Sequence, residues 1–167
     1  MTLYLIMINS RLSLKSLAIT KLAFLLFLSF LNGPILASPE SENRFNSGYA
    51  HYEREEYDKA IPELESAVKL EPLNAQYHHI LAKSYGREAE KVNWLKAMNF
   101  AKKTLAHLQL AVELDENNLE YLDDLMDYYR EAPGFLGGNN QKADEIEKQI
   151  EMLEKSKNQA AYYPGQN

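Results

Sequence analysis

The chain contains no cysteine. Disulfides and thiol catalysis are therefore excluded, and folding is indifferent to the redox state of the compartment. Glycine and proline are scarce, at 7 and 6 of 167 residues. Glu, Lys, Leu and Ala are plentiful, so a mostly helical domain is expected. No Asp or Glu stands before Glu40, and the only charges ahead of it are Arg11, Lys15 and Lys21. Signatures of chemistry are missing as well. No serine sits in a Gly-x-Ser-x-Gly turn, no His-Glu-x-x-His pair occurs, and no Gly-Lys-Ser/Thr follows the glycine-rich segment near residue 137. The histidines are His51, His78, His79 and His107. His78 and His79 are adjacent, so a helix points them roughly 100° apart and they do not readily share a metal. Paired carboxylates abound on surfaces where they are normally solvated. No catalytic residue, metal or cofactor is expected.

What is present begins with an export signal. The three basic residues precede an apolar run from Leu22 to Leu31, then Asn32-Gly33-Pro34, then a small residue at Ala37. This is the pattern of a secretory signal, with cleavage expected after Ala37 and translation starting at Met1 or Met7. The other reading is an uncleaved membrane anchor, but the apolar run is about half of the roughly 20 residues a spanning helix needs. Extending it back to Leu17 would bury Lys21. A lipid anchor would need a cysteine at the cut site. The remainder, residues 38–167, carries 15 basic against 24 acidic residues, a formal charge of −9. Such a domain repels phosphate backbones, so nucleic acid is not an expected partner. Its length suffices for one domain with a real core.

Compared with itself at an offset of 44, the chain repeats. Residues 66–85 align on 110–129 with seven identities: Ala67/Ala111, Val68/Val112, Leu70/Leu114, Asn74/Asn118, Tyr77/Tyr121, Leu81/Leu125 and Tyr85/Tyr129. Each stretch reads as helix end, short turn and next helix start. Stacked helical hairpins follow, each unable to bury its apolar face alone.

The first unit carries a resemblance. Ser47-Gly48-Tyr49-Ala50-His51-Tyr52, Tyr57-Asp58-Lys59-Ala60-Ile61 and Ala67-Val68-Lys69-Leu70-Glu71-Pro72 resemble a tetratricopeptide repeat, a helix–turn–helix unit of 34 residues. Gly48, Ala60, Leu64, Ala67 and Pro72 sit at the family's spacing. Arg44, Ser47 and His51 depart from it, standing where the family prefers Trp, Leu and Tyr. A second unit has Leu81, Ala82, Tyr85, Thr104, Leu108 and Ala111 at family positions, and a third has Leu122, Leu125, Tyr129, Ala143, Ile146 and Ile150. The resemblance implies an all-α, right-handed superhelical array of about three hairpins (41–74, 75–118 and 119–155), within a domain spanning 38–157 and followed by a flexible tail, 158–167.

Both later units carry extra residues between their two helices, about ten in the second and about five in the third relative to the repeat length. The first insertion lacks breakers. Trp94, Met98, Ala101, Leu105, Leu108 and Val112 form one apolar stripe, which predicts an unusually long helix from Asn93 to Asp115 with a lengthened partner beside it. The second insertion, Ala132-Pro133-Gly134-Phe135-Leu136-Gly137-Gly138-Asn139-Asn140, is a loop. Through Lys142-Ala143 it resembles a segment in a group of bacterial tetratricopeptide proteins of unassigned role. Phe135 and Leu136 are expected to pack on the edge against Trp94 or Leu95; a partner contact at Trp94, Phe135 and Leu136 is the alternative. After Ala143, Ile146, Ile150 and Leu153 face inward while Glu145, Lys148, Glu151 and Glu154 cover a solvated terminal face.

The resemblance further implies a concave groove lined by the first helix of each unit. Its family positions fall on Phe45, Tyr49 and Tyr52, on His79 and Lys83, and on Glu120, Asp123 and Asp127. By spacing alone, Phe45, Tyr49 and Tyr52 share one helix face, as do Glu120, Asp123, Asp124 and Asp127. The plainer reading is core packing for the aromatics and solvation for the acids. A groove aromatic at one end and acidic at the other suits a protein or peptide with an apolar anchor and a basic end. Carboxylate-tail binding, which in this family uses Lys and Asn, is not expected, because Phe45 and Tyr49 hold those places. The expected protein is thus an exported, periplasmic or secreted, binding scaffold. The alternatives are a membrane-tethered assembly subunit that retains the signal segment and a small metal-dependent hydrolase using His79 with a carboxylate.

Overall fold

The computed structural model describes residues 39–162, and the expected signal segment, 1–37, lies outside them. The described chain is all-helical. Its order is α1 (Pro39–Glu53), α2 (Tyr57–Leu70), α3 (Ala75–Ala89), α4 (Trp94–Leu114), α5 (Leu119–Glu131), a 3-10 turn (Gly134–Leu136) and α6 (Asn140–Tyr162). Among the described residues no helix is long and apolar enough to cross a membrane.

The helix starts have a common cause. Asparagine precedes four of the helices, and its side-chain oxygen accepts a backbone N–H of the first turn. Asn74 accepts from Tyr77 (3.3 Å), Asn93 from Lys96 (3.2 Å), Asn118 from Glu120 and Tyr121 (3.1 and 3.4 Å) and Asn139 from Lys142 (3.1 Å). An acceptor at this position satisfies donors that the helix leaves without partners. The preceding helices end alike too. Glu71 donates to Ala67 at 2.9 Å, and its counterpart Asp115 donates to Ala111 at 3.1 Å. The internal repeat at an offset of 44 is therefore a repeat of cap and turn.

Helices pack as consecutive pairs, α1 on α2, α3 on α4 and α5 on α6, with α2 against α3 and α4 against α5 joining the pairs. One cluster of buried residues joins α1, α2 and α3 through Phe45, Ile61, Leu64, Tyr77, Leu81 and Tyr85. Another joins α3 to α6 through Ala82, Leu108, Leu125, Tyr129 and Ala143. Small residues mark the crossings. Ala60, Ala67, Ala82, Ala111 and Ala143 are fully buried. A Cβ on Gly48 would stand 2.6 Å from Leu64 Cγ and 3.2 Å from the Ala60 carbonyl oxygen.

The long helix falls where the apolar stripe places it, one residue short at each end of the expected range. Its partner is not lengthened, however. α3 has 15 residues, as many as α1, because residues 90–93 leave the helix and Asn93 starts a new one. The first residues of α4 are left uncovered, with Trp94 and Leu95 72 and 64% exposed. The second insertion is a structured turn. Leu136, Gly137 and Gly138 donate back to Pro133 (2.8 Å), Gly134 (3.0 Å) and Pro133 (3.2 Å), and Asn139 donates to Tyr129 at 2.7 Å. Gly137 has φ +99°, and a Cβ on Gly138 would overlap the Ala132 carbonyl, so both glycines are required. The expected packing of Phe135 does not occur: its side chain is 73% exposed, because the turn is held by its backbone and not by that ring. Leu136 is half-buried. Of the expected tail, residues 158–162 are helical, because no Gly or Pro interrupts α6 there, and residues 163–167 lie outside the described residues.

A polar network runs through the first two pairs. The Tyr85 hydroxyl bonds to Glu65, and Lys103 Nζ lies 3.1 Å from both. Next to it, His78 Nε2 donates to the Pro72 carbonyl at 2.9 Å, and its Nδ1 lies 2.8 Å from His107 Nδ1. Burial, the His78 ring and Lys103 together push His107 down to about 4.

Two predictions follow from this packing. Gly48→Ala will destabilise the protein by about 1–3 kcal/mol through overpacking, read as a lower urea midpoint. In contrast Gly86→Ala, whose Cβ would meet only Thr104 at an ordinary 3.7 Å, will be neutral or stabilising by up to about 1 kcal/mol. The second concerns acid. His107 is neutral when folded down to about pH 4 but takes up a proton near pH 6.5 when unfolded. Its contribution is therefore complete above pH 6.5 and is lost as pH falls towards 4. Urea titrations should show roughly 1–3 kcal/mol lost over that interval, and His107→Gln should flatten the slope.

Candidate functional site

α3 and α5 are the first helices of neighbouring pairs. Between them lies a cleft of about 530 Å³, floored by α4. Size and partly apolar lining place it in the range of ligand clefts. The floor consists of Ala82 and Gly86 of α3 with Ala101, Thr104 and Leu108 of α4. One wall presents Lys83, Arg87 and Glu90, the other Asp124, Asp127, Tyr128 and Glu131. Leu136 and Pro133 close one end, and Tyr52 reaches in from α1. The Tyr128 hydroxyl sits between the carbonyl oxygens of Ala101 (2.8 Å) and Leu136 (3.0 Å), donating its one proton to the pair. That contact ties α5, α4 and the 3-10 turn together at the rim.

Asp124 of the cleft is held in part by His79, which does not line it. Its ring is 1% exposed and packs on Tyr121, with centroids 4.4 Å apart. Nε2 lies 2.6 Å from Asp124 Oδ2. Lys83 Nζ lies 3.6 Å from the same oxygen and 3.3 Å from Glu120 Oε1. Burial acts to raise the Asp124 carboxyl, but the His79 hydrogen bond and the Lys83 charge outweigh it and hold the group below its ordinary range. Likewise burial opposes the Lys83 charge, and the Asp124 and Glu120 carboxylates outweigh it. Because Asp124 stays ionised, Nε2 must carry the proton and donate it.

His79, Glu120 and Asp124 each offer one ligand atom within 4.8 Å of one another. The trio fits a divalent cation poorly. Its only nitrogen atom at the cluster is the proton donor of a 2.6 Å hydrogen bond, and the Lys83 ammonium already lies 3.3 Å from Glu120 and 3.6 Å from Asp124. The His79 imidazole itself is buried and engaged by Asp124.

The residues expected in the groove divide into three groups. Lys83, Asp127 and Tyr52 line the cleft. Glu120, Asp123 and Tyr49 are exposed next to these elements. His79 and Phe45 are core residues, which corrects their assignment to a binding surface. Phe45 is 7% exposed and stacks on Tyr77 at 4.6 Å, because the aromatic face of α1 turns against α3. Tyr49 stacks on Phe45 at 5.9 Å and on Tyr52 at 6.2 Å, continuing a ladder of rings towards the surface. At the edge, Trp94 and Phe135 stand outside the cleft and Leu136 lines it. Asp123 titrates above its ordinary range through burial and the charges of Asp127 and Asp124. Gly86, Arg87, Tyr128 and Glu131 escaped the sequence reading. Gly86 carried a signal, a glycine within a helical pattern, which costs stability unless packing or a ligand needs it.

The two aspartates differ in role. Asp124→Ala leaves the His79 donor buried and without a partner, and should destabilise the protein by about 1–3 kcal/mol. Asp127→Ala should stay within about 0.5 kcal/mol. Thermal or urea unfolding of the pair of variants checks both.

Compared with protein-family models and with curated proteins, the chain has no significant match to either.

Proposed function

We propose that this protein is an exported, non-catalytic scaffold of the tetratricopeptide-repeat type, which holds a protein or peptide partner in the cleft between α3 and α5. The observation that carries the reading is the cleft itself: about 530 Å³ of open space, small residues beneath and uncompensated carboxylates beside it. A right-handed superhelical stacking of three hairpins is the arrangement the family resemblance implies. The recurring caps and turns of the two segments aligned at an offset of 44 support it. Export rests on the charge and apolar pattern of residues 1–37, with periplasmic or secreted location as its consequence. Non-catalytic action is supported by the engagement of His79, Lys83 and Asp124 with one another. The partner offers an apolar anchor for the floor and a basic group for the α5 wall.

Photo-crosslinking tests this. A probe at Asp127 should give one discrete adduct in the native envelope, and a control probe at Glu151, exposed on α6, should give none. Equal adducts from both positions, or none from either, would reject the cleft. Intact mass of the same exported protein should begin at Ser38.

A further inference from the structure

On the reading that the cleft binds a partner segment, we propose that it receives an arginine side chain, and that Gly86 is the specificity residue that admits it. The charges decide the first half. Of the ions lining the cleft, Asp124 is engaged by His79 and Lys83, and Arg87 by Glu90 of its own helix at 3.4 Å. Asp127 and Glu131 remain. Among the described residues no cation lies within 4.0 Å of either. The cleft is thus left with two unmatched negative charges on one wall.

Their spacing favours one cation over another. Residues four apart on a helix are neighbours, with Cβ atoms about 5–6 Å apart. Two acceptors so placed match the planar fork of a guanidinium, whereas an ammonium acts as a point charge and satisfies one at a time. Tyr128 lies between them in sequence, with its hydroxyl fixed on two carbonyls. Its ring offers the flat surface on which a guanidinium stacks.

Gly86 supplies the second half. Packing does not call for a glycine here, since a Cβ would have ordinary clearance from Thr104 at 3.7 Å. The helix is weaker for it. What the missing side chain provides is depth. Flanked by Ala82 and Ala101, it leaves a smooth apolar floor along which an aliphatic stem can lie while its head reaches Asp127 and Glu131.

The test is selection of random heptapeptides displayed on phage against the purified protein, its Gly86→Leu variant and its Asp127→Asn/Glu131→Gln double variant. Circular dichroism first verifies that each variant keeps its helices. Wild type should recover peptides with arginine at one position, preferred over lysine by about tenfold, the discrimination that one extra charge-assisted hydrogen bond gives. The double variant should lose that preference while still recovering apolar peptides, and Gly86→Leu should recover none of them. Peptides that need Gly86 but show no arginine preference would overturn this inference and leave the binding cleft standing. Peptides indifferent to Gly86→Leu, or no recovered peptides from wild type, would overturn both.

Discussion

Close approach of helices at residues without bulk is the constraint on which the rest depends. Ala60, Ala67, Ala82, Ala111 and Ala143 show no exposed surface, and Gly48 leaves no room for a methyl group beside Leu64. Each of these lies where one helix crosses another. The short approach accompanies burial of Leu64 and Leu81 in one cluster and of Leu125 in the other, and dense contact of that kind supplies most of the stability a small helical domain possesses. It also sets the positions of α3 and α5, and hence the width of the cleft that α4 floors.

How much of this could be read in advance depended on whether a feature was local. Helix starts are local. The repeat at an offset of 44 marked the starts of α3 and α5, and the stripe through Met98, Leu105 and Leu108 marked the length of α4. The turn after Ala132 was equally plain from its proline and glycines. Failures came where a side chain's surroundings depend on an element distant in sequence. Phe45 shares a helix face with Tyr49, but α3 covers only the former, with Tyr77 stacked on it. His79 occupies a family groove position, yet Asp124, 45 residues later, draws it into the core. Phe135 looked like an edge residue seeking cover, and backbone hydrogen bonds made cover unnecessary.

The candidate site was legible in the same uneven way. The acidic face of α5 followed from spacing alone. Its division into a structural aspartate, Asp124, and a free one, Asp127, required knowing that His79 and Lys83 stand opposite the first. The glycine beneath was visible as a weak point in α3, but its meaning depended on α4 passing below with Thr104 at ordinary distance.

The asparagine caps have a consequence of a different kind. Asparagine accepts hydrogen bonds through an amide that does not titrate, so four helix ends keep their caps at any acidity. The contacts between helices are another matter, because the His78–His107 pair and the His79–Asp124 pair both depend on protonation state. Secondary structure and packing thus answer to different conditions. Acid should separate them, leaving a compact chain with its helices intact and its side chains no longer locked, the hallmark of a molten globule.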